Sequence, residues 1–191
     1  MSKRESKKEH ILSSGIEVMK RRGYNGTSVK DIVDAASVPK GSFYNYFESK
    51  ELFAIEALES VACESYAHGR SLLKDAQGSP LERLTTFFKS GFEWVKCCDY
   101  RGGCFFGNMC QEMADHSEEI RLKIRGILSK KTSLIAEVIE EAQRAGEINS
   151  NQDPLSLAEF LFNAWEGAIM RMKASKSEAP SEAFLNVLKH L

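Results

Sequence analysis

Five cysteines occur in the 191 residues, and four of them fall between positions 97 and 110: Cys97, Cys98, Cys104 and Cys110. Thiols ligate metals, form disulfides or act as nucleophiles, and the spacing decides among these. There is no C-x2-C or H-x3-H pairing, and His116 alone cannot complete a zinc site. The basic N-terminus MSKRESKKEH lacks the apolar segment of a secretory signal. A cytoplasmic location is therefore expected, which argues against structural disulfides. Cys63, Cys97 and Cys110 are expected to be small buried hydrophobes. Cys104 differs, because it follows Gly102-Gly103 at the expected start of a helix. Backbone N–H groups and the helix dipole favour a thiolate there. Lys173 or Lys176, near the end of a long helix, could supply a cationic neighbour.

A second chemistry is polyanion binding. Residues 1–50 hold ten Lys/Arg against six Asp/Glu, whereas the remainder holds sixteen against twenty-one. A basic first quarter on an acidic body directs its field at nucleic acid. Within it, Thr27–Lys50 reads TSVKDIVDAASVPKGSFYNYFESK. Val29, Ile32, Val33 and Ala36 have the spacing of one buried helix face. After a break at Ala36-Ser37-Val38, a second helix from about Pro39 to Phe47 buries Phe43 and Phe47. Two short helices joined by so few residues are the form of a helix-turn-helix, whose second helix enters the DNA major groove.

The run Thr27, Ile32, Ala35-Ala36, Val38, Lys40-Gly41-Ser42-Phe43-Tyr44, Tyr46-Phe47 and Ser49-Lys50-Glu51 closely resembles the signature of the TetR family of transcriptional regulators. The match extends from His10 to Phe53. Two departures are visible: Ser37 stands where the family usually has glycine, and Pro39 where it usually has a Ser or Thr cap. The resemblance implies an all-α homodimer with no cofactor. It also implies a palindromic double-stranded DNA operator and a small-molecule or electrophile effector. Lys40, Gly41, Ser42, Tyr44, Asn45 and Tyr46 would face DNA, and Thr27 and Lys50 would hold phosphates. The segment GCFFGNMCQEMADHSEEIR further resembles a subgroup that includes electrophile-responsive repressors. That assigns Cys104, with Lys173, to sensing. A non-covalent inducer with purely structural cysteines, or a helical interaction module without DNA binding, stays open.

These sites need elements to hold them. Residues 1–9 read as a mobile basic arm whose Lys3, Arg4, Lys7 and Lys8 could touch phosphates when DNA is bound, and an amphipathic helix follows to Gly23. Thr27 is expected to cap the next helix, and Ser49 a long one reaching Asp75. Ser79-Pro80-Leu81-Glu82 combines a capping box with proline at the first helical position. Asp153-Pro154 repeats a cap-plus-proline start. Other helices are expected over 104–113, from Asp115 to Gly146, and from Ser181. Nine helices and no strand result, divided as a DNA-binding domain over 1–48 and an effector and dimerisation domain over 49–191.

In the second domain, Phe88, Phe92, Phe105, Phe106 and Trp165 are pocket candidates. Phe160, Ala164, Ala168, Phe184 and Leu188 are expected at the dimer interface. No apolar run approaches the roughly 18 residues a membrane span requires. No nucleophile turn or phosphate-binding glycine loop suggests an enzyme.

Overall fold

The computed structural model describes residues 3–148 and 151–191. Nine α-helices and no strand are found among the described residues. They are α1 (Lys3–Arg22), α2 (Val29–Ala35), α3 (Lys40–Tyr44), α4 (Lys50–Arg70), α5 (Pro80–Cys97), α6 (Phe105–Met113), α7 (Glu118–Arg144), α8 (Pro154–Ser175) and α9 (Ala179–Leu188). A π-helical turn over Ser71–Asp75 prolongs α4. The all-α class and the helix count agree with the sequence expectation.

The chain divides into two compact units, residues up to Cys63 with Phe105–Arg125, and Glu64–Cys104 with Gly126–Leu191. The divisions fall inside α4 and α7. The first unit is built around three phenylalanines. Phe43, Phe47 and Phe53 are buried, with ring centroids 4.9–5.6 Å apart. A Cβ on Gly15 would come within 2.4 Å of the Phe53 ring, so α1 can lie against that cluster only with glycine there. His10 Nε2 reaches the Ala36 carbonyl across 2.9 Å and ties α1 to the end of α2.

In the second unit, Phe88 and Phe92 of α5, Trp165 of α8 and Phe184 of α9 pack edge to face or tilted, and Leu84, Ile135, Val138, Leu161 and Leu188 complete the core. Helix starts follow local chemistry. Ser79 and Glu82 exchange capping hydrogen bonds with Pro80 at the first helical position, and Asp153 accepts from the Ser156 N–H. Ser49 Oγ accepts from the Leu52 N–H at the head of α4.

Three expectations change. The basic arm is helical from Lys3, because the segment has no Gly or Pro and is rich in straight-chain helix formers. Lys8 pairs with Glu56 at 2.6 Å and lies over the Phe47 ring. Met1, Ser2 and the Lys3 side chain lie outside the described residues. Ser28, not Thr27, caps α2, in a reciprocal box with Asp31. Finally, α7 begins at Glu118, with Ser117 Oγ accepting from the Ile120 N–H.

Candidate nucleic-acid interface and thiol site

The break between α2 and α3 has the tight geometry that the sequence requires. Ser37 adopts φ +52°, a left-handed conformation costing a non-glycine residue about 1–2 kcal/mol. The Val38 N–H to Val33 carbonyl bond and the Ser37 N–H to Asp34 carbonyl bond close the turn around it. Pro39, extended at the head of α3, makes no side-chain cap.

Helix α3 is short and two-sided. Phe43 is fully buried and anchors it. Lys40, Gly41, Tyr44 and Asn45 are exposed, while Ser42 and Tyr46 are half-buried. A Cβ on Gly41 would meet nothing within 4 Å, so the helix start is open to close approach from outside.

Thr27 and Lys50 do not share that face. Thr27 is buried, and its hydroxyl donates to the Gly23 carbonyl at 2.7 Å. Lys50 Nζ donates to the carbonyls of Tyr24 and Thr27 at 3.0 Å each and stands 3.9 Å from the centre of the Tyr24 ring. Burial pushes its pKa down, with Glu112 pulling the other way. Both residues were expected at phosphates. Their polar atoms are instead spent on the α1–α2 turn, whose carbonyls have no helical partner. The same turn is gripped by α6, because Glu112 Oε2 accepts from the Asn25 N–H at 2.7 Å.

In the second unit, a cavity of about 250 Å³ is lined by His68, Ser90, Gly91, Trp94, Val95, Gly103, Cys104, Trp165 and Ile169. Gly91 lets the Trp165 indole in, since a Cβ there would come within 2.3 Å of the ring. The indole N–H donates to the Phe88 carbonyl. Asp99 and Tyr100 (both φ +54°), Gly102 and Gly103 hold left-handed conformations and bring the chain to Cys104.

Cys104 hydrogen-bonds the Glu166 carboxyl, and Lys131 interacts electrostatically with both groups. Lys131 Nζ also donates to Ser65 Oγ at 2.6 Å. Burial pushes the Glu166 carboxyl up, with the Cys104 hydrogen bond and the Lys131 charge pulling it back. Burial pushes Lys131 down, against the pull of Cys104 and Glu166. The Lys173 stem lies over Gly103, and Lys176 donates to the Tyr100 carbonyl. Lys131 is a cation whose charge acts on the thiol, and sequence reasoning missed it together with Glu166.

Cys63, Cys97 and Cys110 depart from the buried reading. Cys63 and Cys97 are exposed, and Cys110, like Cys98, is half-buried. In α5 the buried face is set by Leu84, Phe88, Phe92 and Val95, and Cys97 falls off it. Of the five aromatic pocket candidates, Trp165 lines this cavity and Phe92 a second one of about 240 Å³. Phe88 is packed solid in the core, and Phe105 and Phe106 belong to the first unit.

The expected interface residues also separate. Phe184 and Leu188 are buried in their own protomer and Ala168 nearly so, whereas Phe160 is 63% exposed. Met170 and Val187 are exposed large apolar residues on the same two helices. Among the described residues no group of three or more His, Cys, Asp or Glu could hold a metal ion, and no helix is long and apolar enough to cross a membrane.

Residues 11–57 match the family described as bacterial regulatory proteins, tetR family, and residues 80–188 match the tetracyclin repressor-like C-terminal domain. The HTH-type transcriptional repressor DhaR of Mycobacterium sp. (strain GP1) is 36% identical over 95% of this chain and 89% of its own length. The crystal structure of regulatory protein TetR from Rhodobacter sphaeroides superposes with a TM-score of 0.89 at 32% identity, covering 95% of this chain and 96% of that one. The reduced form of Escherichia coli NemR gives 0.86 at 27% identity and covers 96% of each chain. The chain belongs to the TetR family and is a DNA-binding transcriptional regulator.

Proposed function

We propose that the protein is a homodimeric repressor that reads a palindromic operator through α3 and releases it when Cys104 is modified by an electrophile. The observation that carries the DNA half is the division of α3: Phe43 locks the helix from below, and Lys40, Gly41, Tyr44 and Asn45 are left outward. Ser42 and Tyr46 flank them. In this reading Lys40 and Tyr44 supply specific contacts and Gly41 close approach to the backbone. Thr27 and Lys50 act on the fold, holding the α1–α2 turn. Residues 1–48 carry DNA binding, and residues 49–191 carry sensing and assembly. A dimer would place its two α3 helices about 34–36 Å apart, on successive major grooves.

Assembly is assigned to the outward stripe of α8 and α9, where Phe160, Met170 and Val187 have no core to enter. Ala164 keeps that stripe low enough for helices to pair. Phe184, Leu188 and Ala168 support it from within.

Sensing is assigned to Cys104 because it lines a cavity, hydrogen-bonds Glu166, feels the charge of Lys131, and immediately precedes α6. Helix α6 ends near Glu112, which holds the turn feeding the helix-turn-helix. An adduct at the head of α6 would thus disturb the grip at its tail and favour a state with weaker operator affinity. A second reading, a non-covalent ligand, is favoured by the same cavity. A relative crystallised in a form named reduced adds weight to thiol chemistry.

The test is fluorescence anisotropy on DNA upstream of the protein's own gene. Tyr44→Ala and Lys40→Ala are expected to lose specific binding while keeping fold and dimer. Unchanged operator affinity in both would remove α3 from the reading role.

A further inference from the structure

Proton removal is the step that limits thiol addition at neutral pH, because the thiolate is the nucleophile. The groups facing Cys104 can be enumerated by helix. Helix α7 offers Lys131, whose charge acts on the thiol, and α8 offers Glu166. Helix α4 offers His68 from the cavity wall, α5 offers the uncharged Ser90 and Trp94, and Lys173 of α8 covers the adjoining Gly103. Of these, Glu166 hydrogen-bonds the thiol itself. Its second oxygen, Oε1, is buried without a hydrogen-bond partner. That is a costly arrangement for a carboxyl with a purely structural role.

We propose that Glu166 is the base that takes the proton from Cys104 Sγ, with Lys131 balancing the charge, and that the cavity admits a small conjugated carbonyl compound. The proposal rests on Cys104 being the sensing thiol. The cavity, at about 250 Å³, is smaller than the roughly 300–1,000 Å³ of drug-sized sites. Its walls of Gly91, Trp94, Val95, Trp165 and Ile169 suit a flat apolar molecule.

The reaction balances without an oxidant. The thiol proton passes to Glu166. The sulfur lone pair forms a C–S bond to the β-carbon as the C=C π pair moves to the carbonyl oxygen. The resulting enolate then recovers the proton from the Glu166 carboxylic acid. The net change is addition of S–H across the double bond, and Glu166 returns to its starting state. Lys131 keeps one negative charge compensated throughout, whether it sits on oxygen or on sulfur. Burial raises the Glu166 pKa, which strengthens it as a base, since catalytic bases work best with a pKa near the operating pH.

The experiment uses the full-length protein and N-ethylmaleimide as the conjugated-carbonyl probe. The alkylation rate of each cysteine is read by peptide mass spectrometry between pH 5.5 and 9, and operator release is followed in parallel. Glu166→Gln is expected to slow Cys104 alkylation at pH 7 about tenfold or more. Its rate should then follow simple thiol ionisation, rising steadily with pH. Glu166→Asp, which keeps a carboxylate, should recover part of the rate, and His68→Gln, whatever it does to ligand entry through the cavity wall, should keep the carboxylate-dependent pH profile. Should Glu166→Gln fail to fold, Glu166→Ala, which leaves no carboxyl to bury, still decides. An unchanged rate and pH profile in a folded Glu166→Gln or Glu166→Ala would overturn the proposal. A loss of that profile confined to His68→Gln would give the role to the imidazole and overturn it equally. Failure of the underlying reading looks different: Cys104 in the wild type would react no faster than the exposed Cys63 and Cys97, or its adduct would leave the operator bound.

Discussion

The surface of α3 and the surroundings of Cys104 put charge to work under opposite conditions. On α3 the polar groups face solvent over an apolar floor, and the floor does the positioning. Around Cys104 the charged groups are partly withdrawn from solvent, with Lys131 and Glu166 half-buried and helices α7 and α8 supplying one each. Screening by water and salt makes surface charges individually cheap to change. A buried charge that loses its partner is expensive. The interface should therefore tolerate substitution structurally while losing function. The thiol site should couple stability to chemistry.

The largest expected effect breaks this contrast within two adjacent residues. Phe43→Ala removes the buried anchor of α3 and should cost about 3–5 kcal/mol by urea denaturation. Tyr44→Ala, from the exposed side, should stay within about 0.5 kcal/mol of wild type and lose the operator. Equal stability for the two variants would mean that the phenylalanine floor does not hold the helix.

Next in size is assembly. Phe160→Glu combined with Val187→Glu puts charge on the outward apolar stripe and should yield folded monomers by sedimentation at micromolar concentration, with operator binding lost. Phe184→Glu buries a charge in the α5–α8–α9 core and should unfold the second unit. Folded dimers from the double variant would place assembly elsewhere.

A smaller effect attends the strained turn. Ser37→Gly relieves the left-handed cost at φ +52° but frees the unfolded chain, so a net gain of about 0.5 kcal/mol is expected. A loss of stability would show that the Ser37 side chain contributes something the backbone conformation does not.

The smallest is acid sensitivity at the surface. Asp31 is held down from its ordinary 3.8 to about 2, first by the Ser28 hydroxyl and N–H and then by Arg22. Because the folded-state pKa is the lower one, the cap's contribution is complete above about pH 4 and disappears as pH falls towards 2. Asp31→Asn should flatten the stability profile in that window alone, measured by thermal melts across pH 2–5. A difference persisting unchanged at pH 2 would assign Asp31 a role other than its charge.

How far the sequence reveals each region follows from the same contrast. The helix-turn-helix was legible because its information is local: Val29, Ile32, Val33 and Ala36 mark one face, and Phe43 and Phe47 the next. Ser79-Pro80 and Asp153-Pro154 were legible for the same reason, since caps act over three residues. Thr27 and Lys50 were ambiguous because a hydroxyl and an ammonium look alike whether they meet phosphate or a helix-end carbonyl. Phe184 and Leu188 misled because an apolar stripe does not say which neighbour covers it. Glu166 and Lys131 were out of reach, since residues 104, 131 and 166, on a loop and two helices, meet only through tertiary packing. One local signal was present: Glu166 is the one charged residue in the run FLFNAWEGAIM, a position where a carboxylate calls for a partner.

In the proposed mechanism the Cys104 thiol is the switch, and one comparison isolates it. Operator affinity is measured by anisotropy for wild type and Cys104→Ser, each before and after treatment with stoichiometric N-ethylmaleimide. The wild type should weaken by somewhere between about 5- and 150-fold, the usual range of coupling between sites. The serine variant should bind as tightly as untreated wild type under both conditions. Release of the operator by the alkylated serine variant, to the same extent as wild type, would contradict the account.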